Sequence, residues 1–238
     1  MRRVLAAVRC DVTVQARHGF YLVSIVLAPL LGWLLSLLPA SRLNLTAVLP
    51  AAMAFSLLIT TFFFVGALVL LEKAQGSLAA LATSPLRPVD WLVAKVLTLS
   101  LLGLAESLAV IAIGVGPGAI SLGLVAGGSG LAVSYVLFGF VTIARYDTFE
   151  AYILPASGVA TLAFMPLLGV FGIGPAFVWS LHPSFGPLVL MQEPASLGAW
   201  AYGLGASLAW IAAAALWARR VYVRATTVWA PPVEAAAA

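Results

Sequence analysis

Charge is what this chain has least of: aspartate, glutamate, lysine and arginine make up 8% of its 238 residues, against about a quarter in ordinary globular domains. With 63% hydrophobic residues beside so little charge, a soluble domain is excluded and an integral membrane protein is indicated. Cysteine is nearly absent. Cys10 has no second thiol for an internal disulfide and no histidine or Cys-x-x-Cys partner nearby, so neither a metal nor a redox site follows from it. A nucleotide cradle is missing too: there is no Gly-x-x-x-x-Gly-Lys-Ser/Thr run, and neither Lys73 nor Lys95 follows a glycine. The net charge of +4 could suit a nucleic acid, but its distribution fits membrane topology instead.

What is there is a series of apolar runs. Residues 1–18 are too charged to span; Val4, Leu5, Val8 and Val12 share one helical face opposite Arg3, Arg9, Thr13 and Arg17, as in a helix lying in the headgroup plane. A signal peptide ending near Leu37 to Ala40 competes with this reading, but the polar leader and the following run are both long, which favours an uncleaved first helix. Six spans are predicted: Phe20 to Leu38, Val48 to Leu71, Leu92 to Ile113, Ile120 to Ala144, Ala151 to about Val170, and Ser196 to Ala218. Asp90 is placed to cap the third, and Asp147 with Glu150 has capping-box spacing before the fifth. Pro29, Pro155 and Pro166 are expected to bend their helices. Gly172 to Pro194 is apolar but broken by Gly-Pro and His-Pro pairs, which predicts short re-entrant helices. The whole is an all-α polytopic membrane protein, one permease-sized domain over 19–224 with an unstructured tail over 225–238.

Six spans put both termini on one side, together with eleven of the twelve lysines and arginines; only Arg42 falls opposite. The positive-inside rule then makes that side cytoplasmic. The loop 72–91 lies there. From Glu72 to Thr83 it is rich in helix formers, with Leu78 and Leu81 three apart, so a short helix is expected, stopped by Ser84 and Pro85.

The run from Glu72 through Gly76, Ser77, Leu78, Leu81, Ser84, Pro85, Leu86, Arg87 and Pro88, with Lys95 in the next helix, resembles the cytoplasmic loop of type-2 ABC export permeases. Among these it is most similar to small bacterial drug-efflux permeases of the fluoroquinolone-export kind. The resemblance implies a coupling helix docked on a separate cytoplasmic ATPase, with Leu78 and Leu81 as apolar anchors and Glu72, Lys73 and Arg87 as flanking charges. It further implies two permease chains, identical or sister, with two ATPases that bind ATP and magnesium. The chain itself is then a transport subunit in the bacterial plasma membrane, not an enzyme.

Glu106 is the acidic residue deepest in a span, readable as a substrate site or as a protonated group bonded to a neighbouring helix, with Ser107 beside it. Phe55, Phe62 and Phe63 load the second span with aromatics and Phe164 with Met165 does so for the fifth; the resemblance makes these a greasy translocation path, while lipid-facing packing is the plainer explanation. Gly123 and Gly127 have the spacing of close helix packing. Gly127 to Gly130 also matches the nucleophile motif of rhomboid proteases at Ser129, but the sixth span carries no histidine to activate it. The readings that remain open beside drug export are a haem, lipid or peptide exporter, a Ser129 protease and an ion-coupled transporter using Glu106.

Overall fold

Apolar runs of this length form helices in lipid because no water is available to satisfy the backbone otherwise. The computed structural model describes residues 2–38, 44–77, 86–192 and 196–229, and among these every regular element is helical. Helix α1 is Arg2–Arg17 and α2 is Phe20–Ser36. α3 runs Leu45–Ala74, α4 Pro88–Gly114, α5 Leu122–Ile143 and α6 Phe149–Phe164. Three short helices follow, α7 Leu167–Val170, α8 Ala176–Ser180 and α9 Phe185–Met191, before the long α10, Leu197–Trp229. Among the described residues five helices are long and apolar enough to cross a membrane, and α1 with α2, bent by 66°, makes a sixth if the pair is one span. The interrupted segment after α6 does form short helices, as its Gly-Pro breaks predict.

Several boundaries differ from the sequence reading. α3 is longer at both ends: Asn44 accepts the Thr46 N–H at 3.2 Å to cap its start, and the helix carries Glu72 and Lys73 out of the expected loop into its own last turn. Gly76 then breaks the helix in the left-handed region at φ 69°, a conformation that glycine adopts without strain. No single helix therefore runs from Glu72 to Thr83; Leu78, Leu81, Ser84 and Pro85 lie outside the described residues. α4 starts at Pro88, whose missing N–H suits a first turn, so Asp90 sits inside that turn and is not the cap. Thr148, not Asp147, caps α6, its Oγ1 accepting the Ala151 N–H at 3.3 Å. Arg219 and Arg220 do not end α10, which continues as helix to Trp229, so the expected tail begins later than residue 225. At the end of a span a charged side chain reaches water without breaking the helix.

α1 meets the protein on a side that the sequence left unassigned. Ala7, Asp11 and Gln15, spaced four apart, are its buried stripe, while Leu5 and Val12 are exposed. Of the apolar face identified from the sequence, Leu5 and Val12 are thus left for lipid while Val4 and Val8 are half-buried, and the stripe with Asp11 and Gln15 packs on α4. Elsewhere the GxxxG of α5 receives α9: a Cβ on Gly123 would lie 2.3 Å from the Leu190 carbonyl oxygen, and one on Gly127 2.3 Å from that of Pro187. Those glycines are fixed by close backbone packing within the chain.

Candidate functional site

Two sites are built where α3 meets its neighbours. The first is at the end of the bundle that carries α1, the last turn of α3 and the first turns of α4, here called the basic end. Lys95 projects about two turns into α4 and is 1% exposed; its Nζ lies 2.6 Å from Asp11 Oδ1 on α1 and 2.6 Å from Glu72 Oε1 on α3. Gln15 donates to Asp11 Oδ2 at 2.7 Å, and the Thr98 hydroxyl donates to the same oxygen. The Trp91 ring stands 5.1 Å from the ammonium and stacks on Tyr222 of α10 at 4.5 Å. One cation thus ties three helices, with an aromatic pair adding the fourth. A buried ammonium is tolerable only with such partners, and both carboxylates are there to supply them.

Lys73, one residue on from Glu72, points the other way: its Nζ donates to the Tyr146 carbonyl at 2.5 Å and to Asp147 Oδ1 at 3.0 Å, in the α5–α6 turn. Of the three charges expected to flank a docking helix, Glu72 and Lys73 are therefore held by intramolecular ion pairs. Arg87 is exposed, at the N-terminus of α4. Nothing in the sequence pattern linked Asp11 to Lys95, 84 positions away; the available hint was an acid and a glutamine four apart on an otherwise basic helix.

The second site is a cavity of about 620 Å³ between α3 and the α6–α7 pair. Phe55, Phe63, Phe164, Met165 and Phe171 form its wall, and Phe55 meets Phe164 edge to face at 6.3 Å. Its α3 side coincides with a π-helical segment, Leu58–Phe63, where Thr61 Oγ1 bonds back to the Leu57 carbonyl and Thr60 Oγ1 to that of Ser56. The widened turn, which recurs at functional sites, swings Leu58 and Phe63 toward the cavity. Ser157 and Thr161 bring the polar atoms, and each hydroxyl already donates to its own helix, to Ile153 and Ser157 carbonyls at 2.8 Å. What they offer a ligand is acceptor lone pairs.

Four of the six residues expected on a substrate path line this cavity, and two do not. Phe62 is fully buried in the core, its carbonyl facing the Tyr152 hydroxyl at 3.5 Å. Glu106 lies across α3 from the cavity: Ser56 donates to its Oε1 at 3.2 Å and Ser107 donates to Ser56 at 3.2 Å. Consecutive helical positions point about 100° apart, so Ser56 and Phe55 serve different faces of one helix. Ser129 spends its hydroxyl on the Val125 carbonyl at 2.7 Å. His182 lies outside the spans, accepts the Ser184 N–H at Nδ1, and burial pushes its imidazole below the ordinary range against the opposing effect of a hydrogen bond to the Leu162 carbonyl.

The geometry is that of a multi-pass membrane protein with a drug-sized apolar cavity and an ion-paired helix junction beside a loop. A sequence model described as the fluoroquinolones export permease protein family matches residues 2–228. The chain belongs to that family. Among relatives of this export permease are two proteins named fluoroquinolones export permease protein, from the CDC 1551 and H37Rv strains of Mycobacterium tuberculosis. Each is 31% identical over 210 residues, covering 85% of this chain and 86% of its own length.

Proposed function

We propose that this chain is the membrane-spanning subunit of an ATP-driven exporter for amphipathic, aromatic drug-like compounds, with fluoroquinolones the first class to test. The observation that carries the reading is the cavity, whose volume falls in the range of small-molecule sites and whose lining is aromatic with a few acceptors, taken with membership of the export-permease family. Such a wall suits a flat aromatic body, and the Ser157 and Thr161 acceptors suit an N–H donor on it.

The energy comes from a separate cytoplasmic ATPase, two copies serving two permease chains, which bind ATP and magnesium. Arg87 and the loop 78–85 form the docking site, in the plasma membrane of a bacterium with the basic end in the cytoplasm. Behind that loop, the Lys95 junction ties the last turn of α3 to α1 and α4, so a push on the loop reaches all three helices as one body. α3 then carries the displacement to its π segment, one wall of the cavity. Rigid-body motion of this kind changes which side the cavity faces.

Inverted vesicles containing the permease and its co-expressed ATPase should accumulate a fluorescent fluoroquinolone on ATP addition, and Phe164→Ala should cut the initial rate severalfold. Uptake that needs no ATPase, or equal rates in wild type and Phe164→Ala, would refute the reading. Glu106→Gln separates it from ion-coupled transport, because export through this cavity should survive that change.

A further inference from the structure

A second cleft, of about 260 Å³, opens between α6 and α10 with α5 as its floor, at the basic end. Phe138, Val159, Trp217 and Val221 make it apolar, and Arg145 stands at its rim. Trp217 is 54% exposed on the outer side of α10, where a transmembrane chain meets acyl tails, and Arg145 is exposed where the same helices leave the hydrocarbon. Among the described residues, no acidic side chain forms an ion pair with Arg145: Asp147, two positions on, is held by Lys73, and no salt bridge includes Glu150. Arg219 and Arg220, exposed on α10 beside Trp217, add to the positive field.

An apolar slot continuous with the bilayer and closed at its polar end by an unneutralised guanidinium has the form of an anionic lipid. We infer that this cleft is a phospholipid site, an acyl chain lying along Val159 and Trp217 and a phosphate headgroup on Arg145. The guanidinium offers its fork of donors to phosphate oxygens, which a zwitterionic headgroup presents beside a competing cation and an anionic one presents alone. The site is separated from the 620 Å³ cavity by α6 itself, whose Pro155 and Val159 face the lipid cleft while Ser157, Ala160 and Thr161 face the cavity. A lipid seated here therefore buttresses the α6 wall of the cavity from behind.

Native mass spectrometry of the detergent-solubilised full chain tests this, with phosphatidylglycerol, phosphatidylcholine of the same acyl chains and inorganic phosphate as probes. Phosphatidylglycerol should be retained about fivefold more strongly than phosphatidylcholine, the factor one basic side chain supplies at an anionic surface. The preference should vanish in Arg145→Gln and return in Arg145→Lys. Val159→Trp, which fills the slot without touching the charge, should lower retention of both lipids. Equal retention of the two lipids by the wild type, or a preference that survives in Arg145→Gln, overturns the site. Displacement of phosphatidylglycerol by inorganic phosphate at equal concentration would assign Arg145 to a soluble anion and overturn the lipid assignment as well.

Discussion

Lys95 balances two carboxylates at 2.6 Å each, so the junction carries a net negative charge when all three groups are ionised. Removing the cation is then worse than removing one anion. Lys95→Met should lower stability by about 3–5 kcal/mol, the cost of leaving a buried charge without its partner. Combining it with Asp11→Asn and Glu72→Gln should recover most of that loss, because three neutral groups of similar size remain. Thermal unfolding in detergent, followed by the shared transition of far-UV ellipticity, reads both; a single variant as stable as the wild type would show the junction to be energetically idle. Glu106 obeys the opposite arithmetic. It has a neutral hydrogen-bond partner in Ser56 and no cation, so glutamine should replace it with little change in the unfolding midpoint.

At the scale of the helix, α5 and α9 make the most exacting contact. Gly127→Ala places a methyl against the Pro187 carbonyl and should cost about 1–3 kcal/mol, as other overpacked contacts do. Gly158, mid-α6, has open space around it, and Gly158→Ala should stabilise by about 0.5–1 kcal/mol through helix propensity alone. The pair, measured side by side, separates a steric effect from a backbone one. The apolar runs and their breaks were legible in the sequence because hydropathy and Gly-Pro pairs act locally. So was the small-residue spacing of α5, although its partner, a short helix some sixty residues on, was not. Cap positions were misread where a neighbour did the work: Thr148 displaced Asp147, which Lys73 had already engaged. The interfacial placement of α1 was legible in its apolar face, but the stripe that meets protein, with Asp11 and Gln15, was not, because its partner Lys95 lies 84 positions on.

For the whole molecule, the consistent theme is segregation. The ionic junction and the Lys73 pair occupy one end, the short helices α7–α9 the other, and the aromatic cavity the space between. Such separation makes α3, which runs from the junction to the cavity wall, the direct route between the proposed docking loop and the proposed cavity. A proline at Val65, two residues beyond the π segment, should therefore uncouple them: ATPase binding retained, drug-stimulated ATP hydrolysis lost. Stimulation that survived the break would show that the signal travels by another helix. Phe55, Phe63, Phe164 and Met165 could be grouped from composition and resemblance, but Phe62 could not be told from them, because the π turn that sets the register is a tertiary outcome.

The glycine seat on α5 also bears on how the chain is made. Gly123 and Gly127 make room for backbone carbonyls of α9, so the seat of α9 on α5 needs nothing from α10. α10 then arrives at a prepared surface, with Gly203 and Ser207 closing over Gly186. The contacts thus permit an order of assembly in which a wedge is set first and its keeper follows. A chain lacking α10 would leave the outer side of that wedge, Gly186 and Leu190, uncovered.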